Sequence, residues 1–122
     1  MIKVLLCEDD SRVRLTLARA IRSQADLNVV AAVESGEEVI DATADHAPDV
    51  IVLDVHLPGI DGIEVIRMLR AGGVVSPVVV LSADDRAATR LQGLDGVSFL
   101  SKGTSGAIDV LAAIRDSAGA DG

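Results

Sequence analysis

Five short apolar runs rich in β-branched residues alternate along this chain with segments in which apolar residues recur every three or four positions. This alternation is typical of parallel β-strands joined by crossover helices, because a parallel sheet buries both of its faces. The predicted strands span residues 3–7, 28–33, 50–53, 78–81 and 97–100. The sequence therefore predicts an α/β protein with one five-stranded parallel sheet.

The segments between and after the strands have the apolar spacing of amphipathic helices. The first segment places Val13, Leu17 and Ile21 on one helical face. Ser35 is the predicted N-cap of the second helix, and Pro48 is expected to end it. The three later helices are predicted to contain, in order, Ile63, Ile66 and Leu69 after a start near Asp61-Gly62 and before Gly72-Gly73; Ala87, Ala88, Leu91 and Leu94; and Ile108, Leu111, Ala112 and Ile114.

The chain has 122 residues, which suits one domain with a substantial core. A domain of this size removes roughly two-thirds of its unfolded surface from water. We assign residues 1–117 to the folded domain. Residues 118–122, which are alanine, glycine and one aspartate, are interpreted as a tail or as the start of a linker.

Composition excludes several classes of function. The formal net charge is −8, and Phe99 is the single aromatic residue, so neither a basic nucleic-acid surface nor a base-stacking platform is expected. Cys7 is the single cysteine, which excludes an intramolecular disulfide and suits a reducing compartment. No apolar stretch approaches membrane-spanning length, and no signal-peptide core is evident. We therefore expect a cytoplasmic protein that binds neither membranes nor nucleic acids directly.

Polar side chains follow four of the five predicted strands at the point where each strand ends. In an open parallel sheet the carboxyl ends of the strands meet at one edge, where ligands bind. These strand-end residues are Glu8, Asp9 and Asp10 after the first strand, Asp54 after the third, Ser82 after the fourth and Lys102 after the fifth. The sequence therefore predicts a site that combines acids, a hydroxyl and an ammonium.

Asp54 is the most informative of these residues, because a buried apolar strand delivers its carboxylate to the edge of the sheet. Burying an unpaired carboxylate costs several kcal/mol, so a cation or a metal is expected beside it. The grouped carboxylates of Glu8, Asp9 and Asp54 favour a hard divalent cation, and an oxygen-only site suits Mg²⁺ better than zinc. Asp10 enters the first helix and is interpreted as its N-cap rather than as a ligand.

Four motifs stand at the strand ends: VLLCEDD at 4–10, DVHLPGIDG at 54–62, VLSA at 80–83 and FLSK at 99–102. In this order they resemble the receiver domain of two-component response regulators, especially its NarL/FixJ-like branch. The resemblance covers essentially the whole chain. It implies a flavodoxin-like, doubly wound parallel sheet with strand order 2-1-3-4-5.

The resemblance also implies a role for each site residue. Asp54 would accept a phosphoryl group from a sensor histidine kinase or a phosphotransfer protein, with Lys102 and Ser82 contacting the phosphoryl oxygens. Asp9 and Asp54 would bind Mg²⁺ directly, Glu8 would bind it through water, and His56 would contribute its backbone carbonyl. Ser82 and Phe99 would then switch an output surface.

A protein of this kind is a phosphorylation-controlled switch rather than an enzyme with a separate substrate. It would catalyse only its own phosphoryl transfer and autodephosphorylation, and phosphorylation could drive formation of a homodimer. A phosphatase with an aspartyl nucleophile is disfavoured, because such enzymes need a second Asp where this chain has His56. A nucleotide or flavin site is disfavoured because no glycine-rich phosphate loop follows the first strand.

The sequence departs from the usual receiver pattern in two places. Gly103 follows Lys102 where many members have Pro, so the cis-proline geometry of that loop is not carried over. The distance of 20 positions from Ser82 to Lys102 is short, which predicts a trimmed fourth helix or following loop. Dimerisation through the usual face of the family is therefore not carried over.

Two biological contexts fit these features. The spacing of 28 positions from Asp54 to Ser82, together with the Ser-Lys-Gly sequence at 101–103, resembles NarL-type transcription regulators. In that branch a helix-turn-helix DNA-binding domain follows the receiver. The leading interpretation is therefore the regulatory part of a transcription regulator. The alternative is a stand-alone receiver that acts as a phosphorelay shuttle or as a docking regulator.

Overall fold

The computed structural model describes residues 1–84, 86–102 and 105–120. Five strands and five helices alternate in this part of the chain: β1 Ile2–Cys7, α1 Ser11–Arg22, β2 Leu27–Val33, α2 Gly36–His46, β3 Val50–Asp54, α3 Gly62–Ala71, β4 Val78–Ser82, α4 Ala87–Arg90, β5 Val97–Ser101 and α5 Ala107–Ala120. All paired strands are parallel, in the order β2-β1-β3-β4-β5. The predicted α/β class and the strand order implied by the resemblance are both confirmed.

The strand order reverses direction at β1, which places the ends of β1 and β3 side by side. The two strands pair in a register that sets Cys7 opposite Leu53. The residues that follow, Glu8 and Asp54, are therefore neighbours at the carboxyl edge of the sheet. This is the position at which doubly wound sheets bind their ligands.

The sheet separates two aliphatic cores. One core packs β-strand side chains against α2, α3 and α4, and the other packs them against α1 and α5. Strands β3 and β4 are buried along their whole length, which explains why both are continuously apolar until their last residue. Each aliphatic side chain buried in this way contributes about 1.5–3 kcal/mol, so the strand ends are held firmly in place.

Side-chain caps fix the starts of three helices. Asp10 accepts hydrogen bonds from the amides of Arg12 and Val13, at 2.9 and 3.3 Å, and so caps α1 as predicted. Ser35 caps α2 in the same way, as predicted, and Asp61 caps α3. These bonds satisfy amides that have no partner within the helix, and they set where each helix leaves the sheet edge.

Helix α4 is much shorter than its apolar pattern predicted. It contains four residues and ends before Leu91, so the prediction that Leu91 and Leu94 belong to this helix was wrong. Three residues after the helix the chain turns at Gly93, which has a φ of 86° that glycine adopts without strain. The expectation of a trimmed fourth helix is confirmed.

Helix α5 continues to Ala120, past the predicted end before Ala118, because Gly119 is accommodated without breaking it. Ile114 is fully buried on this helix, whereas Ile108 is 82% exposed and contributes nothing to the core. Gly103, Asp121 and Gly122, on which other expectations rested, lie outside the described residues. No helix within the described ranges has the length and apolar character needed to span a bilayer.

Candidate functional site

Asp54 is the last residue of β3, and its carboxylate is held from two sides. The side chain is buried, with 3% of the residue exposed. Its Oδ1 accepts a hydrogen bond of 3.0 Å from the backbone amide of His56, and its Oδ2 accepts one of 2.9 Å from the Nζ of Lys102. The predicted cation beside Asp54 is therefore the Lys102 ammonium.

Glu8 shares the same ammonium. Both carboxylate oxygens of Glu8 lie 3.1 Å from Lys102 Nζ, and Glu8 is almost completely buried. Burial raises the pKa of Glu8 to about 7, the neighbouring Asp54 carboxylate adds to the increase, and Lys102 opposes it. For Lys102, burial lowers the pKa, but the hydrogen bonds to Asp54 and Glu8 outweigh burial and raise it overall. The ammonium therefore stays charged near neutral pH.

Asp9 completes a cluster of three carboxylates. Oxygens of Glu8, Asp9 and Asp54 lie within 4.8 Å of one another, and Asp9 is exposed whereas the other two are buried. Arg14 supports this turn, because its Nη1 donates a hydrogen bond of 2.8 Å to the carbonyl of Glu8. A purely oxygen donor set that is open to water on one side suits a hard, partly hydrated divalent cation. Asp10, committed to the α1 cap, does not belong to this cluster.

Ser82 ends β4 and is fully buried, and its hydroxyl is engaged by the following turn. Its Oγ donates to the carbonyl of Asp84 at 3.2 Å and accepts from the amide of Asp84 at 3.0 Å. The backbone of Ser82 is linked to the site as well, because its carbonyl accepts from the Lys102 amide at 2.9 Å. The structure therefore brings Ser82 and Lys102 to the same edge of the sheet, as the sequence predicted.

The family comparison agrees with this arrangement. The family described as "Response regulator receiver domain" matches residues 4–115 of the chain. This chain is a response regulator receiver domain. The resemblance inferred from the four sequence motifs is therefore confirmed.

The curated relatives that match the receiver are named as response regulators. It is 38% identical over 94 residues to the response regulator MprA of Mycobacterium sp. (strain KMS), an alignment that covers 77% of this chain and 40% of the relative. The MprA of Mycobacterium tuberculosis (strain ATCC 25177 / H37Ra) matches over the same shares at the same identity. The receiver thus spans less than half the length of the curated relatives that it matches.

Solved receiver structures share the whole fold. The signal receiver domain of a protein named NarL from Mycobacterium tuberculosis has a TM-score of 0.86 and 29% identity, with 97% of this chain and 96% of that chain covered. The response regulator domain of Thermotoga maritima CheB has a TM-score of 0.85 and 27% identity, with 98% and 97% covered. The expected likeness to NarL-type receivers is confirmed, and the fold likeness extends to the response regulator domain of CheB.

The positions of Phe99 and His56 do not decide the roles predicted for them. Phe99 lies in β5 opposite Val80, partly buried against the core formed with α2, α3 and α4. The His56 side chain is exposed, and the group that contacts Asp54 is the His56 amide. The switching role of Phe99 and the metal-binding role of the His56 carbonyl stay predictions.

Cys7 directly precedes Glu8 at the end of β1, and its thiol is unreactive. Burial raises the pKa of its thiol to about 12, and the carboxylates of Asp54 and Glu8 add to the increase. The thiolate is the reactive form of cysteine, so this thiol is inert near neutral pH. The interpretation of Cys7 as a small core residue agrees with its burial.

Sequence reasoning missed one contact at the rim of the site. Arg90, at the end of α4, forms an ion pair of 3.2 Å with Asp61, the N-cap of α3. The cap signal of Asp61 was visible in the sequence. The position of Arg90 was not, because it depends on how early α4 ends.

Proposed function

We propose that this receiver accepts a phosphoryl group on Asp54 from the phosphohistidine of a sensor histidine kinase or a phosphotransfer protein. The observation that carries the proposal is the fixed Asp54 carboxylate, with Lys102 on one oxygen and the His56 amide on the other. A carboxylate oxygen would attack phosphorus, forming a P–O bond while the P–N bond breaks and the imidazole leaves with the electron pair. An attacking carboxylate has no proton to give up, so the transfer needs no general base.

Lys102 and Ser82 would stabilise the transferring group. Phosphoryl transfer asks the protein mainly to position the reactants and to neutralise charge on the equatorial oxygens. The Lys102 ammonium contacts Asp54 Oδ2 and both carboxylate oxygens of Glu8, so it would lie beside a phosphoryl group attached to Asp54. Ser82 would exchange its hydrogen bonds with Asp84 for one to a phosphoryl oxygen.

The acidic cluster would hold Mg²⁺, since its donors are oxygens from three converging carboxylates. Asp9 and Asp54 would bind the metal directly, Glu8 would bind it through water, and the His56 carbonyl would complete the protein ligands. When bound, Mg²⁺ would neutralise negative charge on the phosphoryl oxygens. Binding also requires Glu8 to be ionised, which its raised pKa opposes below about pH 7.

Phosphorylation would shift the receiver between two conformations through Ser82 and Phe99. We propose that the output is DNA binding by a transcription regulator, with homodimer formation on phosphorylation. The likeness to the receiver named NarL supports this output. The domain would act in the cytoplasm as a switch, and the full reading frame of the gene would distinguish a DNA-binding regulator from a stand-alone phosphorelay shuttle or docking regulator.

Intact-protein mass spectrometry tests the acceptor directly. We expect wild type, incubated with MgCl₂ and acetyl phosphate, to gain the mass of one phosphoryl group. The Asp54→Asn variant should gain none, and EDTA should suppress the gain in wild type. Asp41→Asn, at an exposed position on α2, is the matched control and should behave like wild type. Phosphorylation that persists in Asp54→Asn would contradict the proposal.

A further inference from the structure

The Asp61 carboxylate ties helix α4 to the start of α3, because it contacts both helices. Asp61 Oδ1 accepts a hydrogen bond of 2.9 Å from the Glu64 amide in the first turn of α3. Its Oδ2 lies 3.2 Å from Nη2 of Arg90, the last residue of α4. The two oxygens of Asp61 therefore join the two helices that flank the carboxyl ends of β3 and β4.

The α3 end of this tie is fixed beside Asp54. A Cβ atom at Gly62 would lie 2.5 Å from the Asp54 carbonyl oxygen and 2.9 Å from the Val55 Cα, so helix and strand end are in direct backbone contact. The Gly62 amide also donates to the Val55 carbonyl at 2.8 Å. Asp61 is therefore anchored to the turn that carries the phosphoryl acceptor.

At the α4 end of this tie, few hydrogen bonds hold the helix in place. Helix α4 is one turn long, and its N-cap residue makes no side-chain capping bond. Its first amide, at Ala87, donates to the Asp84 carbonyl at 3.1 Å, and the Ser82 hydroxyl donates to the same carbonyl. Single helical turns are not stable by themselves, so the position of α4 depends on these hydrogen bonds and on the burial of Ala87 in the core.

We propose that the Asp61–Arg90 ion pair restrains α4 in the unphosphorylated conformation and thereby opposes the switch at Ser82. When Ser82 turns to a phosphoryl oxygen, the Asp84 carbonyl loses one of its donors and the first turn of α4 is free to shift. Asp61 keeps its position beside the turn that follows Asp54, so the shift of α4 lengthens or breaks the ion pair. This inference rests on the proposed phosphoryl chemistry at Asp54.

The expected size of the effect follows from the exposure of the pair. The side chains of Arg90 and Asp61 are 52% and 38% exposed, so solvent screens their attraction. An exposed ion pair that exists in one of two conformations changes the ratio of their populations by about two- to fivefold. A contact present in only one of two states shifts their populations by its own free energy, so loss of the pair favours the switched state.

Binding of beryllofluoride with Mg²⁺, followed by NMR titration, tests the restraint. Asp61→Asn removes the charge and keeps a good N-cap, and Arg90→Gln removes the other partner. We expect both variants to bind beryllofluoride about two- to fivefold more tightly than wild type. The double variant should match either single variant, because both remove the same contact. Arg67→Gln, an exposed arginine of α3 for which the described residues offer no ion-pair partner, should bind like wild type.

The outcomes separate the two proposals. Unchanged or weaker binding in Asp61→Asn and Arg90→Gln, beside normal binding in wild type, overturns the restraint and leaves the acceptor chemistry intact. Independent, additive effects of the two substitutions also overturn it. Failure of wild type to bind, or equal binding by Asp54→Asn, overturns the acceptor proposal and the restraint together.

Discussion

The Nζ of Lys102 lies 3.1 Å from both carboxylate oxygens of Glu8 and 2.9 Å from Oδ2 of Asp54. One ammonium at the end of β5 is thus shared by two buried acids from β1 and β3. A single positive charge cannot compensate two carboxylates fully. Burial raises the pKa of Glu8 to about 7, and the neighbouring Asp54 carboxylate adds to the increase that Lys102 only partly opposes.

The pKa of Glu8 predicts how the stability of the metal-free protein depends on pH. The pKa is raised from 4.5 to about 7 on folding, so the folded state binds more protons than the unfolded state between these values. The free energy of unfolding should therefore fall as pH rises from about 5 to about 7. Mg²⁺ favours ionised Glu8, so added Mg²⁺ should recover the loss above about pH 7. Urea unfolding followed by far-UV circular dichroism, with EDTA or MgCl₂, measures both effects.

Glu8→Gln is the control for this pH dependence, because it removes the titrating group and keeps the shape. The decline between about pH 5 and 7 should disappear in this variant. Asp26 and Asp61 have lowered pKa values, Asp26 mainly through its hydrogen bond with Arg115, so both act at lower pH, outside this window. A decline that persists in Glu8→Gln would assign it to another group.

The shared ammonium predicts that Lys102→Met is costly. The substitution leaves Glu8 and Asp54 buried without their cation, and breaking one partner of a buried pair costs about 3–5 kcal/mol. Lys102 is partly exposed, so we expect a loss of about 2–4 kcal/mol in EDTA at pH 8. MgCl₂ should reduce this loss, because the metal takes over the compensation of the carboxylates. Lys3→Met, which loses a single hydrogen bond to the His46 carbonyl, should cost less than about 1 kcal/mol. Equal losses in the two variants would contradict the role of Lys102.

The strands could be predicted from the sequence almost completely. Each observed strand includes the predicted one and extends it by one residue, as in β3, which ends at Asp54 rather than at Leu53. In β3, β4 and β5 the added residue is the first polar one, because backbone pairing continues past the apolar run. In β1 and β2 the added residue is apolar and stands at the start of the strand, Ile2 or Leu27. The length of helix α4 was overestimated because Ala87, Leu91 and Leu94 follow a helical spacing and all pack against one core, whereas the helix itself ends at Arg90.

The convergence of site residues was predictable, but their contacts were not. Parallel strands share one carboxyl edge, so Glu8, Asp54, Ser82 and Lys102 had to lie near one another once the strand order was known. The sequence does not specify which side chains pair across 94 positions, as Glu8 and Lys102 do. Such pairs depend on rotamers and backbone directions that no local pattern encodes.

The close approach of α3 to the end of β3 predicts that Gly62→Ala is harmful. An added Cβ would meet the backbone of Asp54 and Val55 rather than a flexible side chain, so the helix start must shift. We expect a loss of about 1–3 kcal/mol in the free energy of unfolding, and slower phosphorylation of Asp54 by acetyl phosphate. Gly119→Ala, in open space on α5, should instead be neutral or stabilising by up to about 1 kcal/mol. Wild-type stability in Gly62→Ala would show that the contact is looser than the structure indicates.

Two isoleucines on different helices, one buried and one exposed, give the last prediction. Ile66 is fully buried in the core between the sheet and α2–α3, whereas Ile108 on α5 is 82% exposed. Ile66→Ala removes buried methyl groups and leaves a cavity, which should lower the free energy of unfolding by about 2–5 kcal/mol. Ile108→Ala removes no packed group and gains helix propensity, so its change should stay within about 0.5 kcal/mol. Urea unfolding by circular dichroism measures both, and a comparable loss in Ile108→Ala would show that this face of α5 is packed in solution, for example in a dimer.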